Sequence, residues 1–145
     1  GPGSRPVVRE LFVDTSGWFP LADRDDPAHP AVARALRAAV QRRTRIVTTN
    51  LVLAETHALL LRRIHREAAL VFLSEVGREP SLVVTSTPEH EERARREWLE
   101  RYDDQDFTLT DTVSFAVMRE RGIREALALD HHFAVAGFAV VPAAS

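Results

Sequence analysis

Residues Ala126-Leu-Ala-Leu-Asp130-His-His-Phe133 read ALALDHHF: four small or apolar side chains, then a bare carboxylate. A run of that length and character is a short strand covered on both faces, as in a parallel sheet. The same juxtaposition stands near the start of the chain, where Leu11-Phe-Val13 leads directly into Asp14. In open α/β sheets, sites form just outside the carboxyl ends of the strands. Two strands ending near an acid therefore direct attention to that edge.

Working outward, five segments read as short strands: Glu10–Val13, Arg45–Thr48, Leu82–Thr85, Ala126–Leu129 and Phe138–Val141. Helical periodicity falls between them. Ala28–Arg43 places Val32, Leu36, Ala39 and Val40 on one face, with arginines around them. Leu51–His65 and Glu67–Val76 read as two further helices, the second stopped by Gly77. Pro88 suits the first turn of a helix running to Arg101. Thr110 is the expected cap of a last long helix, with Gly122 as its stop. Strands alternating with helices predict right-handed crossovers and a mostly parallel five-stranded sheet in a three-layer α/β/α fold.

A chain of 145 residues, 45% apolar and 28% charged, has the length and composition of one globular domain. Gly1–Ser4 reads as a cloning remnant, leaving 5–145 as a single domain. No apolar run is long enough to span a membrane. Charges at Arg5, Arg9, Asp14, Asp23 and Arg24 leave no signal-peptide core, so a cytoplasmic protein is expected. With no cysteine, the chain has neither disulfides nor thiolate metal sites nor a cysteine nucleophile. All 19 basic residues are arginine, which excludes a Walker-A lysine, a Schiff-base lysine and a lysine general base. The net charge of −2 does not announce a nucleic-acid binder, although acids held on a cation would leave a slightly positive remainder.

Four acids map to the carboxyl edge. Asp14 follows the first strand, and its Asp-Thr-Ser-Gly context also suits a turn or helix cap. Glu55 lies about a turn into a helix, with Leu51, Val52, Ala58 and Leu59 three and four residues away. A glutamate in such surroundings needs a partner if it is buried, a tertiary arginine being the plain alternative. Asp111 falls in a helix first turn, where an acid also complements the helix dipole. Asp130 could merely cap the segment His131–Ala136. Taken together these local explanations weaken. Two ionised groups ~4 Å apart repel by roughly 4 kcal/mol at an effective dielectric of 20. A cluster of them must take up protons or bind a cation, and oxygen donors select a hard ion such as Mg²⁺ or Mn²⁺.

Other chemistries find less support. His131 and His132 are adjacent, so their rings are expected to diverge, and His90-Glu-Glu-Arg93 lacks the second histidine of a zincin helix. His29, His57 and His65 read as surface or packing residues. No Gly-x-Ser-x-Gly elbow occurs, and Ser16 stands where an Asp-x-Asp phosphatase needs an acid.

FVDTSGW at Phe12–Trp18, Glu55 in NLVLAETHALLL, DFTLTDTVSFAVM around Asp111, and ALALDHHF with the following AGF resemble the PIN domain family, specifically its VapC-like toxin ribonucleases. The resemblance covers nearly the whole chain after Ser4. It implies a Mg²⁺-dependent endoribonuclease that forms homodimers and is neutralised by a cognate antitoxin. By position, Asp14 and Asp111 would be the principal metal ligands, with Glu55 and Asp130 completing the catalytic acids. Thr15, Ser16, Thr110 and Ser114 would supply hydroxyls near the metal or scissile phosphate. Asp103, Asp104 and Asp106 read as a solvated loop before the helix, from which one acid could reach the site through water. Arginines are expected to rim the acidic edge and meet RNA phosphates. Candidates are Arg42, Arg43 and Arg45, then Arg62, Arg63 and Arg66, then Arg93, Arg95 and Arg96; most read as solvated helix faces, leaving about one cluster in three to contact phosphate. Trp18 and Phe19 could stack a base, or pack in the core. Two readings compete: a PIN nuclease of RNA processing without an antitoxin, and a catalytically silent binding module whose acids cap helices.

Overall fold

The computed structural model describes residues 8–143; Gly1–Ser4, set aside above, lies outside them. Its five strands are β1 (Glu10–Val13), β2 (Arg45–Thr49), β3 (Ser81–Val84), β4 (Glu125–Leu127) and β5 (Ala139–Val141). Every pairing is parallel, in the order β3-β2-β1-β4-β5. The chain therefore builds the sheet outward from β1 in one direction, then returns to build from β4 in the other. Between β1 and β4 the order reverses, leaving a crevice at their carboxyl ends.

Right-handed crossovers place the helices. On one face lie α1 (Thr15–Ala22), α2 (His29–Gln41), α3 (Asn50–Arg63) and α4 (Arg66–Val76). On the other lie α5 (Pro88–Ala94), a π-helical turn at Arg95–Leu99, α6 (Leu109–Arg121) and α7 (His132–Val135). The result is the expected three-layer arrangement. Phe12, Val13, Ile46, Val47, Ala126 and Leu127 are buried, because both sheet faces are covered. On α6 every residue from Asp111 to Met118 is buried, and Phe115 stacks edge-on against both Phe107 and Phe133. No helix among the described residues is long and apolar enough to cross a membrane.

Several local expectations change. β4 ends at Leu127, so Asp130 stands three residues beyond the strand. Thr108, rather than Thr110, caps α6: its hydroxyl accepts from the Asp111 N–H, and Asp111 accepts from the Thr108 N–H. Of the two readings of Asp14, turn or helix cap, the second holds: it is the N-cap of a full helix. Gly17 explains how that helix fits. A Cβ there would lie 2.5 Å from the Leu127 carbonyl oxygen and 3.2 Å from Val13 Cγ1, so α1 could not sit down on the crevice. Gly122 ends α6 in the left-handed conformation, φ 71°, as a helix-stop glycine should.

Candidate active site

The crevice at the strand-order reversal opens into a pocket of about 290 Å³ whose lining includes Asp14, Thr15, Ser16, Glu55, Asp111 and Asp130. The four acids, drawn from α1, α3, α6 and the loop after β4, thus share one pocket. Their environments differ.

Asp14 is 3% exposed. Its Oδ2 accepts from the Ser16 N–H at 3.1 Å and the Ser16 hydroxyl at 2.8 Å. Its Oδ1 is buried with no hydrogen-bond partner. Burial pushes the Asp14 carboxyl up to about 6; the Ser16 hydrogen bonds oppose the rise, and the nearby Asp111 charge adds a smaller push. Repulsion within the cluster, the expected main cause of strain, is thus secondary to desolvation. Ser16 joins the two halves of the crevice, since its Oγ also accepts from the Leu129 and Asp130 N–H groups at 2.9 and 3.2 Å.

Asp111 is buried as well, but satisfied. Its Oδ2 accepts from the Thr108 N–H at 3.1 Å and from His132 Nδ1 at 2.9 Å. His132 Nε2 in turn lies 2.7 Å from Asp106 Oδ1. Carboxylates at both ring nitrogens favour the form that carries hydrogen on both, the cationic imidazole. Burial alone would lower its pKa, but the Asp106 hydrogen bond and the charges of Asp130 and Asp111 outweigh it and raise the value. The same hydrogen bond holds Asp106 below the ordinary carboxylate range. Asp106 is the exposed loop residue expected, but the adjacent histidine rings, expected to diverge, stand 4.5 Å apart. Helix α7 begins at His132, whose N–H is held by Asp130 Oδ1 at 2.9 Å, and this turns the ring inward. The legible signal was the Asp-x-His spacing: an Asx turn sends the second residue back toward the acid.

Glu55 lines the pocket but is exposed. Because it is exposed, the requirement for a buried partner does not arise, although Leu59, four residues on, lines the same pocket. Asp130 is intermediate in exposure and performs the capping role as well. Of the four hydroxyls, Thr15 and Ser16 line the pocket, Thr15 accepting from Thr56 Oγ1 at 3.0 Å. Ser114 is buried in α6 and donates to the Thr110 carbonyl at 2.7 Å, so its hydroxyl serves its own helix. Neither it nor Thr110 lines the pocket.

Of the three arginine clusters, one stands at the acidic edge. Arg63 reaches the pocket, 5.9 Å from the centroid of the Phe19 ring, which also lines it. Arg62 and Arg66 flank the turn between α3 and α4 and are exposed. Arg42, Arg43 and Arg45 lie at the opposite end of the strands: Arg42 lines a separate cleft with Glu10 and Arg124, and Arg45 pairs with Glu10 at 3.4 Å. Arg95 and Arg96 pair with Glu100 and Glu92. Trp18 is core, donating to Thr48 Oγ1 at 3.3 Å and packing edge-on against Phe72.

The donor set suits a divalent cation. An unpartnered buried carboxylate oxygen, Asp14 Oδ1, is otherwise a standing cost, and the carboxylates of Glu55, Asp111 and Asp130 line the same pocket.

Comparison with known proteins adds to this geometry. A family model described as PIN domain matches residues 11–139. The chain is 42% identical over 135 residues to the 23S rRNA-specific endonuclease VapC20 of Mycobacterium tuberculosis, covering 90% of this chain and 97% of that protein. The crystal structure of M. tuberculosis VapC20, described as a sarcin-ricin loop cleaving toxin, matches with a TM-score of 0.81 and 37% identity, covering 88% of this chain and 95% of that one. VapBC2 from Rickettsia felis matches with a TM-score of 0.67 at 10% identity, covering 90% and 96% of the two chains. At that identity the likeness concerns the fold alone.

Proposed function

The chain belongs to the PIN domain family, and from that premise we propose that it is a metal-dependent endoribonuclease, the toxin of a type II toxin–antitoxin pair. The observation that carries the reading is Asp14 Oδ1: buried, unpartnered, and in a pocket shared with Glu55, Asp111 and Asp130. The 42% identical relative acts on 23S rRNA, so the substrate assigned to this chain is the same class of ribosomal RNA.

In this reading Asp14 and Asp111 are the principal ligands of Mg²⁺, with Mn²⁺ as its substitute, and Glu55 and Asp130 complete the acidic set. Bound there, such an ion supplies Lewis acidity toward a phosphate oxygen and a more acidic water. The residues themselves hold the arrangement. Ser16 engages Asp14 Oδ2 and ties α1 to the loop after β4, which leaves Oδ1 for the ion. His132 and the Thr108 N–H engage Asp111 Oδ2 and keep that carboxylate from turning. Arg63, beside the exposed edge of the pocket, is assigned to an RNA phosphate, and Phe19 to the floor beneath it.

The remaining partners are a cognate antitoxin and a second copy of the chain. Exposed Leu61, Leu70, Val71 and Leu73 on α3 and α4 offer the apolar surface that protein partners cover. Molar mass in solution, with and without the protein encoded alongside, distinguishes the two.

Purified protein incubated with ribosomal RNA tests the activity. The expected outcome is a discrete cut in 23S rRNA with Mg²⁺, none with a chelator, and none from Asp14→Asn or Asp111→Asn. Intact RNA with wild type and Mg²⁺ overturns the reading.

A further inference from the structure

His132 has a second, outward side. Its ring is locked in place: Nδ1 donates to Asp111 Oδ2 at 2.9 Å, and Phe107 packs edge-on against it with centroids 5.2 Å apart. Nε2 is therefore the nitrogen presented away from the acidic pocket. It lies 2.7 Å from Asp106 Oδ1, on a side chain that is 89% exposed. The His131 ring stands 4.5 Å from the His132 ring, centroid to centroid, and is itself exposed. Ligand atoms of Asp106, His131 and His132 all lie within 4.8 Å of one another. Bonds of ~2.0–2.2 Å to a single ion span such a group after small rotations of the two exposed side chains.

The ligand chemistry differs from that of the acidic pocket. Two imidazole nitrogens and one carboxylate favour Zn²⁺ and the later transition ions, whereas Mg²⁺ prefers oxygen alone. One imidazole also has the support that metal-binding histidines have, a carboxylate on the far nitrogen that fixes the tautomer and aims the free one. Here Asp111 is that carboxylate. At Nε2 an ion takes the place of the hydrogen shared with Asp106.

We propose that Asp106, His131 and His132 form a second metal site, selective for Zn²⁺ over Mg²⁺, on the outer side of His132 and separated from the acidic pocket by its imidazole ring. Ribonuclease activity is not a premise of this site, so binding can be measured without RNA.

The experiment is calorimetric titration of Zn²⁺ into the purified chain in millimolar Mg²⁺, repeated with Co²⁺ and visible absorption. One Zn²⁺ per chain should bind despite the Mg²⁺, and Co²⁺ should show the intense absorption of low coordination number. His131→Ala and Asp106→Asn should each weaken Zn²⁺ at least ~10-fold. Both side chains are exposed, and unchanged circular dichroism confirms their folds. Asp14→Asn should bind Zn²⁺ as wild type does. The proposal is overturned by absence of Zn²⁺ binding in Mg²⁺, by a site indifferent to His131→Ala, or by one lost in Asp14→Asn. The last outcome would put the ion in the acidic pocket.

Discussion

Asp14 and Asp111 face the same pocket and are almost equally buried, at 3% and 7% exposed, yet the protein treats them in opposite ways. Asp111 has a cation of the chain's own, His132, braced from behind by Asp106. Asp14 has neutral donors on one oxygen and nothing on the other. At one corner the fold neutralises its buried charge; at the other it leaves an oxygen for something else to claim. The contrast locates the strain of the site at Asp14, and it sets the sign of each mutational effect.

The largest effect is expected from Asp14→Asn. Cleavage should fall at least ~100-fold in an RNA assay, on the scale of losing a ligand-shell residue, while the metal-free fold gains stability. The folded pKa of Asp14 is about 6 against an ordinary 3.8. Because it is raised, the folded state binds the extra proton between those values, and its stability falls as pH climbs through that window. Above it the full cost stands, roughly 3 kcal/mol at 1.36 kcal/mol per unit. Urea unfolding from pH 4 to 8 without metal should show wild type losing stability across the window and Asp14→Asn largely spared. His132→Ala should do the reverse. Stripped of its cation, Asp111 remains buried, and the metal-free fold should lose ~1–3 kcal/mol. His132 has a raised pKa, so its contribution is present below the unfolded value near 6.5 and is lost as pH rises through the folded one. If both substitutions destabilise equally, the two corners are alike and the contrast fails.

Gly17→Ala probes the seam beneath both corners. With the Leu127 carbonyl at 2.5 Å from the added Cβ, α1 must shift, at ~1–3 kcal/mol by thermal unfolding. A neutral result would mean that the seam is loose. The smallest effect belongs to the rim. Arg63→Ala should weaken RNA binding and reduce the salt slope by ≈ 1, whereas Arg42→Ala at the far end of the strands should change neither. Equal effects would move the RNA path away from the acidic edge.

Much of this was readable in the chain. Apolar strands with period-free burial, helices between them and acids just past Val13 and Leu129 point to a parallel sheet with one acidic edge. What escaped has identifiable causes. Helix α1 was only half legible because Asp-Thr-Ser-Gly reads equally as a turn or a helix cap, and only contact with β4 shows why glycine is needed at Gly17. The apolar neighbours of Glu55 suggest burial, but Leu59, which lines the same pocket, is itself only half-buried, and α3 leaves Glu55 on its open side. Arginines close in sequence to the acids, such as Arg45, sit at the wrong end of their strands. His132 depends on the direction of a turn three residues past a strand, which no periodicity encodes. Ser114 and Thr110 matched by position in the chain, but α6 takes the Ser114 hydroxyl for itself.

The most direct test of the account is the carboxyl chemical shift of Asp14, followed by carbon-detected NMR across a pH titration with and without Mg²⁺. Without the ion, Asp14 should titrate near 6; with saturating Mg²⁺ its midpoint should drop below the ordinary value of 3.8. An unshifted Asp14 in the metal-free protein, or a raised midpoint that Mg²⁺ leaves in place, would contradict the claim that its free oxygen is there for a cation.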